Sequence, residues 1–224
     1  MPDRRILIFD LDGTLVDSMG PAADLFCEML RAGFGIADSV SRPIFTAHMG
    51  RGPLTQTTEV QRQTKAFDES LLDQMTADYW AIYENYDATL FSEVKDVVRA
   101  LHSQGHILLI SSGSKNALVQ RAARSTGIAP FFSLILGSDE EVHGMAKGSG
   151  HFQRFREALG IDESEMTRRG VFVGDGAYDM QVACEAGLVA VGRITDGNGE
   201  TLRAAGAHFL IDDLREMQDL LGAL

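Results

Sequence analysis

The sequence predicts an α/β protein built on a doubly wound parallel sheet, with a helical block inserted near its start. Three observations carry that prediction. Short apolar runs recur along the chain with helical patterns between them. The stretch from Asp17 to Thr89 interrupts that rhythm without a convincing strand. The first apolar run ends on an acidic pair, Asp10 and Asp12, with Gly13 behind it.

The runs come first. Arg5 to Phe9 (RILIF) is nearly continuous in its apolar character, as a strand buried on both faces must be. His106 to Ile110, Ser133 to Leu136 and Val171 to Val173 follow the same pattern. Leu188 to Val191 and His208 to Ile211 are weaker versions. Between them, Ser92 to Ser103 carries Val94, Val97, Val98 and Leu101 on one stripe, with Ser92 as N-cap and Gly105 as stop. Asn116 to Thr126, His151 to Leu159, Tyr178 to Ala186 and Leu214 to Leu221 also read as helices. Alternation of this kind implies right-handed crossovers and a Rossmann-like core.

In the interruption, Leu25, Phe26, Met29 and Leu30 make a helical stripe after Pro21, which suits a first helical position. Asp68 to Tyr86 reads as a long helix carrying Leu71, Leu72, Met75, Tyr79 and Ile82. The expected division is therefore a core of residues 1–16 and 90–224 and an inserted helical domain of residues 17–89.

Composition narrows the functional classes. The 224 residues include 32 acidic and 20 basic side chains, a formal charge of −12. Such a surface repels nucleic acid and anionic membrane. No run is apolar enough to span a bilayer, and the N-terminal run is too short for a signal peptide, so a cytoplasmic protein is expected. Cys27 and Cys184 sit among apolar residues at helical spacing and read as buried, inert thiols. Oligomeric state is open.

The acidic pair is where chemistry enters. Ligands of open α/β sheets bind at the carboxyl ends of strands, and residues two apart on an extended chain face the same way. Asp10 and Asp12 can thus share one site, with Gly13 permitting a sharp turn. Two adjacent carboxylates repel unless a cation intervenes, and Mg²⁺ is an oxygen-seeking ion that also binds phosphate. An Asp-Gly surface turn is the plainer alternative.

The segment Asp10-Leu11-Asp12-Gly13-Thr14-Leu15-Val16-Asp17-Ser18 resembles the first motif of haloacid dehalogenase superfamily phosphatases. The resemblance implies that Asp10 is the nucleophile and Asp12 the general acid and base. It also implies that the Asp10 carboxylate and the Asp12 carbonyl hold Mg²⁺. Asp12 speaks against a true dehalogenase. The family's second motif matches Ile110-Ser111-Ser112-Gly113-Ser114-Lys115-Asn116, with Ser112 and Gly113 as phosphate contacts and Ser111 as the second choice. A hydroxyl with free N–H groups at a helix start makes an anion site, although an ordinary Ser N-cap has the same appearance.

The third motif is a lysine, matched by Lys147, with Lys115 as a weaker rival. Many relatives carry prolines where this chain has Gly148 and Gly150. The fourth motif is matched by Val171-Phe172-Val173-Gly174-Asp175-Gly176-Ala177-Tyr178-Asp179. It implies Asp175 as a Mg²⁺ ligand, and Asp179 as a ligand, a holder of bound water, or the residue that orients Lys147. Gly174 and Gly176 relieve crowding there.

The insert resembles this superfamily's helical cap, with Val16-Asp17-Ser18 and Ala88 to Phe91 as the connecting strands. Arg51, in the loop His48 to Pro53, is a candidate contact for a substrate anion, or a surface arginine. Tyr79, Trp80 and Tyr83 read as cap interior. His48, His143 and His151 read as structural, and no Cys/His spacing suggests zinc.

The resemblance implies a hydrolase: a Mg²⁺-dependent phosphatase acting on a small phosphorylated metabolite, phosphoglycolate phosphatase-like. A beta-phosphoglucomutase-type phosphomutase is the alternative, hinted at by Lys115-Asn116. A phosphonate hydrolase would need a cap lysine, and only Lys65 is available. A non-catalytic binding protein on this fold conflicts with intact Asp10, Asp12 and Asp175.

Overall fold

The computed structural model describes residues 4–48, 53–64, 69–84, 87–139, 145–195 and 197–224. The chain divides into two compact units, Met1–Asp17 with Ala88–Leu224, and Ser18–Asp87.

Among the described residues, the larger unit holds six parallel strands: β1 (Ile6–Phe9), β2 (Ile107–Lys115), β3 (Leu134–Ser138), β4 (Gly170–Gly174), β5 (Val189–Arg193) and β6 (Phe209–Ile211). Their order is β3-β2-β1-β4-β5-β6. Strand order reverses between β1 and β4, which opens a crevice at their carboxyl ends. Asp10 and Asp175 are the first residues past those two strands. The Asp10 N–H donates to the Val173 carbonyl at 2.9 Å, which ties the two strand ends together.

All four side chains of β1 are fully buried. Leu7 and Phe9 join the apolar layer on one face, with Leu108, Val171 and Val191. Ile6 and Ile8 join the other, with Leu109, Phe172 and Ala190. Burial on both sides is why the strand sequences are continuous rather than alternating.

The smaller unit is helical: α1 (Met19–Phe34), α2 (Asp38–Ala47), α3 (Pro53–Thr64) and α4 (Glu69–Tyr83). Phe26 is fully buried at its centre, with ring centroids of Phe45 at 5.5 Å and Tyr79 at 5.8 Å. Trp80 packs against the same cluster. Truncating Phe26 to alanine would cost about 3–5 kcal/mol.

The remaining helices flank the sheet: α5 (Val94–Ser103), α6 (Asn116–Ser125), α7 (Ser149–Leu159), α8 (Glu163–Arg169), α9 (Ala177–Glu185), α10 (Gly199–Ala204) and α11 (Met217–Ala223).

Several sequence expectations need correction. The helical insert contains two helices, α2 and α3, beyond the two whose apolar stripes the sequence predicts; their polar residues dilute the stripe. Pro21 lies in the third position of α1, still within the first turn where its missing N–H costs nothing. Glu93, not Ser92, precedes α5, and its carboxylate accepts from Arg193 rather than capping the helix. Strand β2 continues to Lys115 through a register irregularity after Ser111. Cys27 is buried, but Cys184 is exposed: Met180 and Ala183 take the inner face of α9.

Candidate active site

The carboxyl edge of β1 and β4 gathers the acids. Carboxylate oxygens of Asp10, Asp175 and Asp179 lie within 4.8 Å of one another, and all three residues are buried. Asp10 and Asp175 arrive from adjacent strand ends. Asp179 arrives from the first turn of α9, where its Oδ2 accepts from the Gly176 N–H at 2.9 Å. Gly174 is required for this: a Cβ there would collide with the Asp179 carboxylate.

Lys147, from the loop before α7, is buried among them. Its Nζ lies 3.0 Å from Asp10 Oδ1 and 2.6 Å from Asp179 Oδ1. Lys115, its rival, is exposed. Burial works against the Lys147 ammonium, but Asp10 and Asp179 outweigh it and raise its pKa. Burial pushes Asp10 up to about 7, with the charges of Asp179 and Asp12 adding to the rise and Lys147 opposing it. Asp175 is pushed well above the ordinary carboxylate range, first by burial and then by Asp10 and Asp179.

Fully ionised, three carboxylates against one ammonium would carry an excess of two negative charges in a buried site, which a bound cation would offset. Thr14 Oγ1 donates to Asp175 Oδ1 at 3.0 Å, while Asp175 Oδ2 is buried with no hydrogen-bond partner among the described residues. An orphaned carboxylate oxygen in an all-oxygen cluster with that charge fits a hard divalent cation such as Mg²⁺.

Asp12 is half-buried and stands apart from the cluster: its Oδ2 accepts from Ser114 Oγ at 2.8 Å. Ser112 is buried, and its Oγ accepts from the Ser114 N–H at 3.1 Å. Because β2 runs on to Lys115, Ser112 and Gly113 lie in the strand extension rather than at the start of α6. Ser111, the second choice, faces inward, bonded to His151 Nδ1 at 2.8 Å. Arg51 and Lys65 lie outside the described residues, as does His143.

Three neighbours of the site were given no role by the sequence: Thr14, Ser114 and Arg193; His151, read as structural, is bonded to Ser111 and to the Gly137 carbonyl. The spacing of Ser112 and Ser114 on an extended segment carried a usable signal, since both point one way. Arg193, whose Nη1 donates to the Thr14 carbonyl at 2.7 Å across 179 residues, had none.

Comparison with known proteins agrees with this geometry. The haloacid dehalogenase-like hydrolase family profile matches residues 5–187. The phosphoglycolate phosphatase of Vibrio vulnificus (strain YJ016) is 27% identical over 228 residues, covering 97% of this chain and 96% of that protein. Among solved structures, a haloacid dehalogenase-like family hydrolase from Streptococcus pneumoniae superposes with a TM-score of 0.79 at 20% identity, covering 98% of this chain and 99% of that one. A protein from Bacteroides vulgatus assigned as a beta-phosphoglucomutase gives 0.77 at 18% identity, covering 100% and 91%. The structural likenesses establish the shared fold. The family match spans both β1 and β4 with the acids that follow them, and the chain belongs to the haloacid dehalogenase-like hydrolases.

Proposed function

We propose that this hydrolase is a Mg²⁺-dependent phosphatase that cleaves a small phosphate monoester, of the phosphoglycolate phosphatase kind, through an aspartyl-phosphate on Asp10. The observation that carries the proposal is the buried cluster of Asp10, Asp175, Asp179 and Lys147 with its unspent carboxylate oxygen. The Vibrio relative named as a phosphoglycolate phosphatase supports the choice of substrate class.

Asp10 and Asp175 would hold the ion, with Asp179 beside them. Bound Mg²⁺ supplies the charge neutralisation that lets an anionic carboxylate meet an anionic phosphoryl group. The Asp10 carboxylate oxygen forms a bond to phosphorus as the ester oxygen departs. Asp12, protonated, gives that oxygen its proton. Water then attacks phosphorus, Asp12 takes a proton from it, and the bond to Asp10 breaks to release phosphate. Lys147 holds Asp10 in place and offsets charge at the phosphoryl oxygens. Ser112 and Gly113 contribute a hydroxyl and an N–H to the same oxygens. Asp179 orients Lys147. Ser114 steers the Asp12 carboxylate.

The mutase alternative has less behind it. Asn116, half of the resemblance to that group, spends its Oδ1 on the Gly137 N–H at 3.0 Å. Two free cysteines are in keeping with a reducing cytoplasm. A phosphate-release screen over small phosphate monoesters, with Mg²⁺ and with chelator, tests the proposal. Turnover that survives chelation, or that survives Asp10→Asn, would sink it. Isomerised sugar phosphate without free phosphate would move the reading to the mutase.

A further inference from the structure

Behind the acid cluster lies a second buried ionic arrangement that the chemistry above does not use. Arg193, at the end of β5, is 4% exposed. Its Nη2 donates to Glu93 Oε1 at 2.7 Å, and its Nη1 donates to the Thr14 carbonyl at 2.7 Å. The guanidinium carbon sits 3.8 Å from the centroid of the Phe91 ring. Glu93 and Phe91 follow the segment that returns to the core, where Leu90 bridges to Val16 and the Phe91 N–H donates to the Leu15 carbonyl. Three stretches distant in sequence thus meet at one cation.

Stability alone is a poor reason for this pair. Desolvating two charges costs several kcal/mol per ion, and apolar replacements of similar volume are often as stable. Arg193 Nε also remains buried without a hydrogen-bond partner among the described residues. The pair's use lies in what it holds. Thr14 is fully buried, and its hydroxyl is the hydrogen-bond donor on Asp175 Oδ1. Asn198 Nδ2 anchors the Asp175 carbonyl at 2.8 Å, so the backbone and one carboxylate oxygen of Asp175 are both fixed.

We propose that Arg193 is a positioning residue for the cation site: clamped by Glu93 and Phe91, it holds the Thr14 backbone so that the Thr14 hydroxyl fixes Asp175 with Oδ2 turned to the ion. The inference rests on the cation reading given under Proposed function. A fixed guanidinium fork reaches Glu93 and Thr14 at once, which a lysine ammonium on a flexible stem does not reproduce.

The test is Mn²⁺ binding to the full chain, followed by the electron paramagnetic resonance of the free ion, with melting temperature recorded alongside. Asp175→Asn is the control for the site itself. Thr14→Val and Arg193→Met are each expected to weaken Mn²⁺ binding about 10- to 100-fold, the usual effect of removing a partner behind a ligand. The double variant should bind about as weakly as the weaker single, because both changes break one chain of contacts. Arg193→Lys should fail to restore affinity. Binding by Arg193→Met within about twofold of wild type, or losses that multiply in the double variant, would overturn the inference. So would a lowered melting temperature with unchanged affinity. If Arg193→Met does not fold, Arg193→Lys takes its place in the same cycle. Should Asp175→Asn leave Mn²⁺ binding intact, the cation site itself fails; a weakened control with intact Arg193 variants sinks only the positioning role.

Discussion

Lys147 and Asp179 form a buried ion pair, Nζ to Oδ1 2.6 Å, in which each side chain is almost wholly withdrawn from water. The same ammonium reaches Asp10, so one cation serves two acids. Lys147→Met would strand the carboxylates, and breaking such a pair costs about 3–5 kcal/mol. Urea unfolding in chelator should show that loss. Saturating Mg²⁺ should reduce it, since the ion takes over part of the neutralisation. An equal loss in both conditions would show that ion and ammonium do not share the charge.

The raised Asp10 pKa, about 7, predicts that the cation competes with a proton. Metal binding near pH 7 should release protons, and affinity should fall as pH drops below that value. Calorimetry in buffers of different ionisation enthalpy reads the release directly, and Asp10→Asn should diminish it. The stability sign follows. Between the unfolded value of 3.8 and about 7, the native metal-free protein binds more protons than the unfolded chain. Its stability therefore declines as pH rises through that window. Saturating Mg²⁺ should flatten the decline.

His151 gives the opposite slope. It is fully buried, its Nε2–H donates to the Gly137 carbonyl at 3.2 Å, and its Nδ1 accepts from Ser111. Burial lowers its pKa from 6.5 to about 4, with Lys147 adding to the fall and the Gly137 hydrogen bond opposing it. The unfolded chain binds the extra proton between those values, so stability is full above pH 6.5 and is lost as pH falls toward 4. The difference is worth about 3 kcal/mol. The wild-type curve minus that of His151→Phe, followed by urea unfolding, should carry this slope; parallel curves would remove His151 as its source.

How much of this was legible beforehand depended on range. The β1 strand and its acids announce themselves locally, because a strand buried on both faces must be apolar throughout and the acids follow it directly. Gly174 and Asp179 were legible through the resemblance of Val171 to Asp179 to a family motif. Helices α2 and α3 were not, because polar stretches such as TQTTEVQRQT carry little apolar periodicity. His151 and Arg193 were invisible as partners, since Ser111 and Thr14 meet them only once the sheet has assembled. A hydrogen bond spanning 179 residues leaves no pattern in a window of sequence.

Gly148 is one of the two positions, with Gly150, where the resemblance led to an expectation of proline, and its backbone gives the difference a physical content. Its φ of +100° favours glycine, and a Cβ there would meet Val182 Cγ1 at 3.2 Å. Proline fixes φ near −65°, so it cannot occupy this conformation. Tyr178 Oη donates to the Lys147 carbonyl at 3.3 Å, which holds the loop in its present course. Gly148→Ala should therefore destabilise by about 1–3 kcal/mol while the loop keeps its path. Gly148→Pro should force another path, moving Lys147 away from Asp10 and Asp179. Turnover should then fall further than in Gly148→Ala at matched melting temperature. A proline variant with wild-type turnover would mean that Lys147 can be delivered by either backbone, and that the glycine is not what places it.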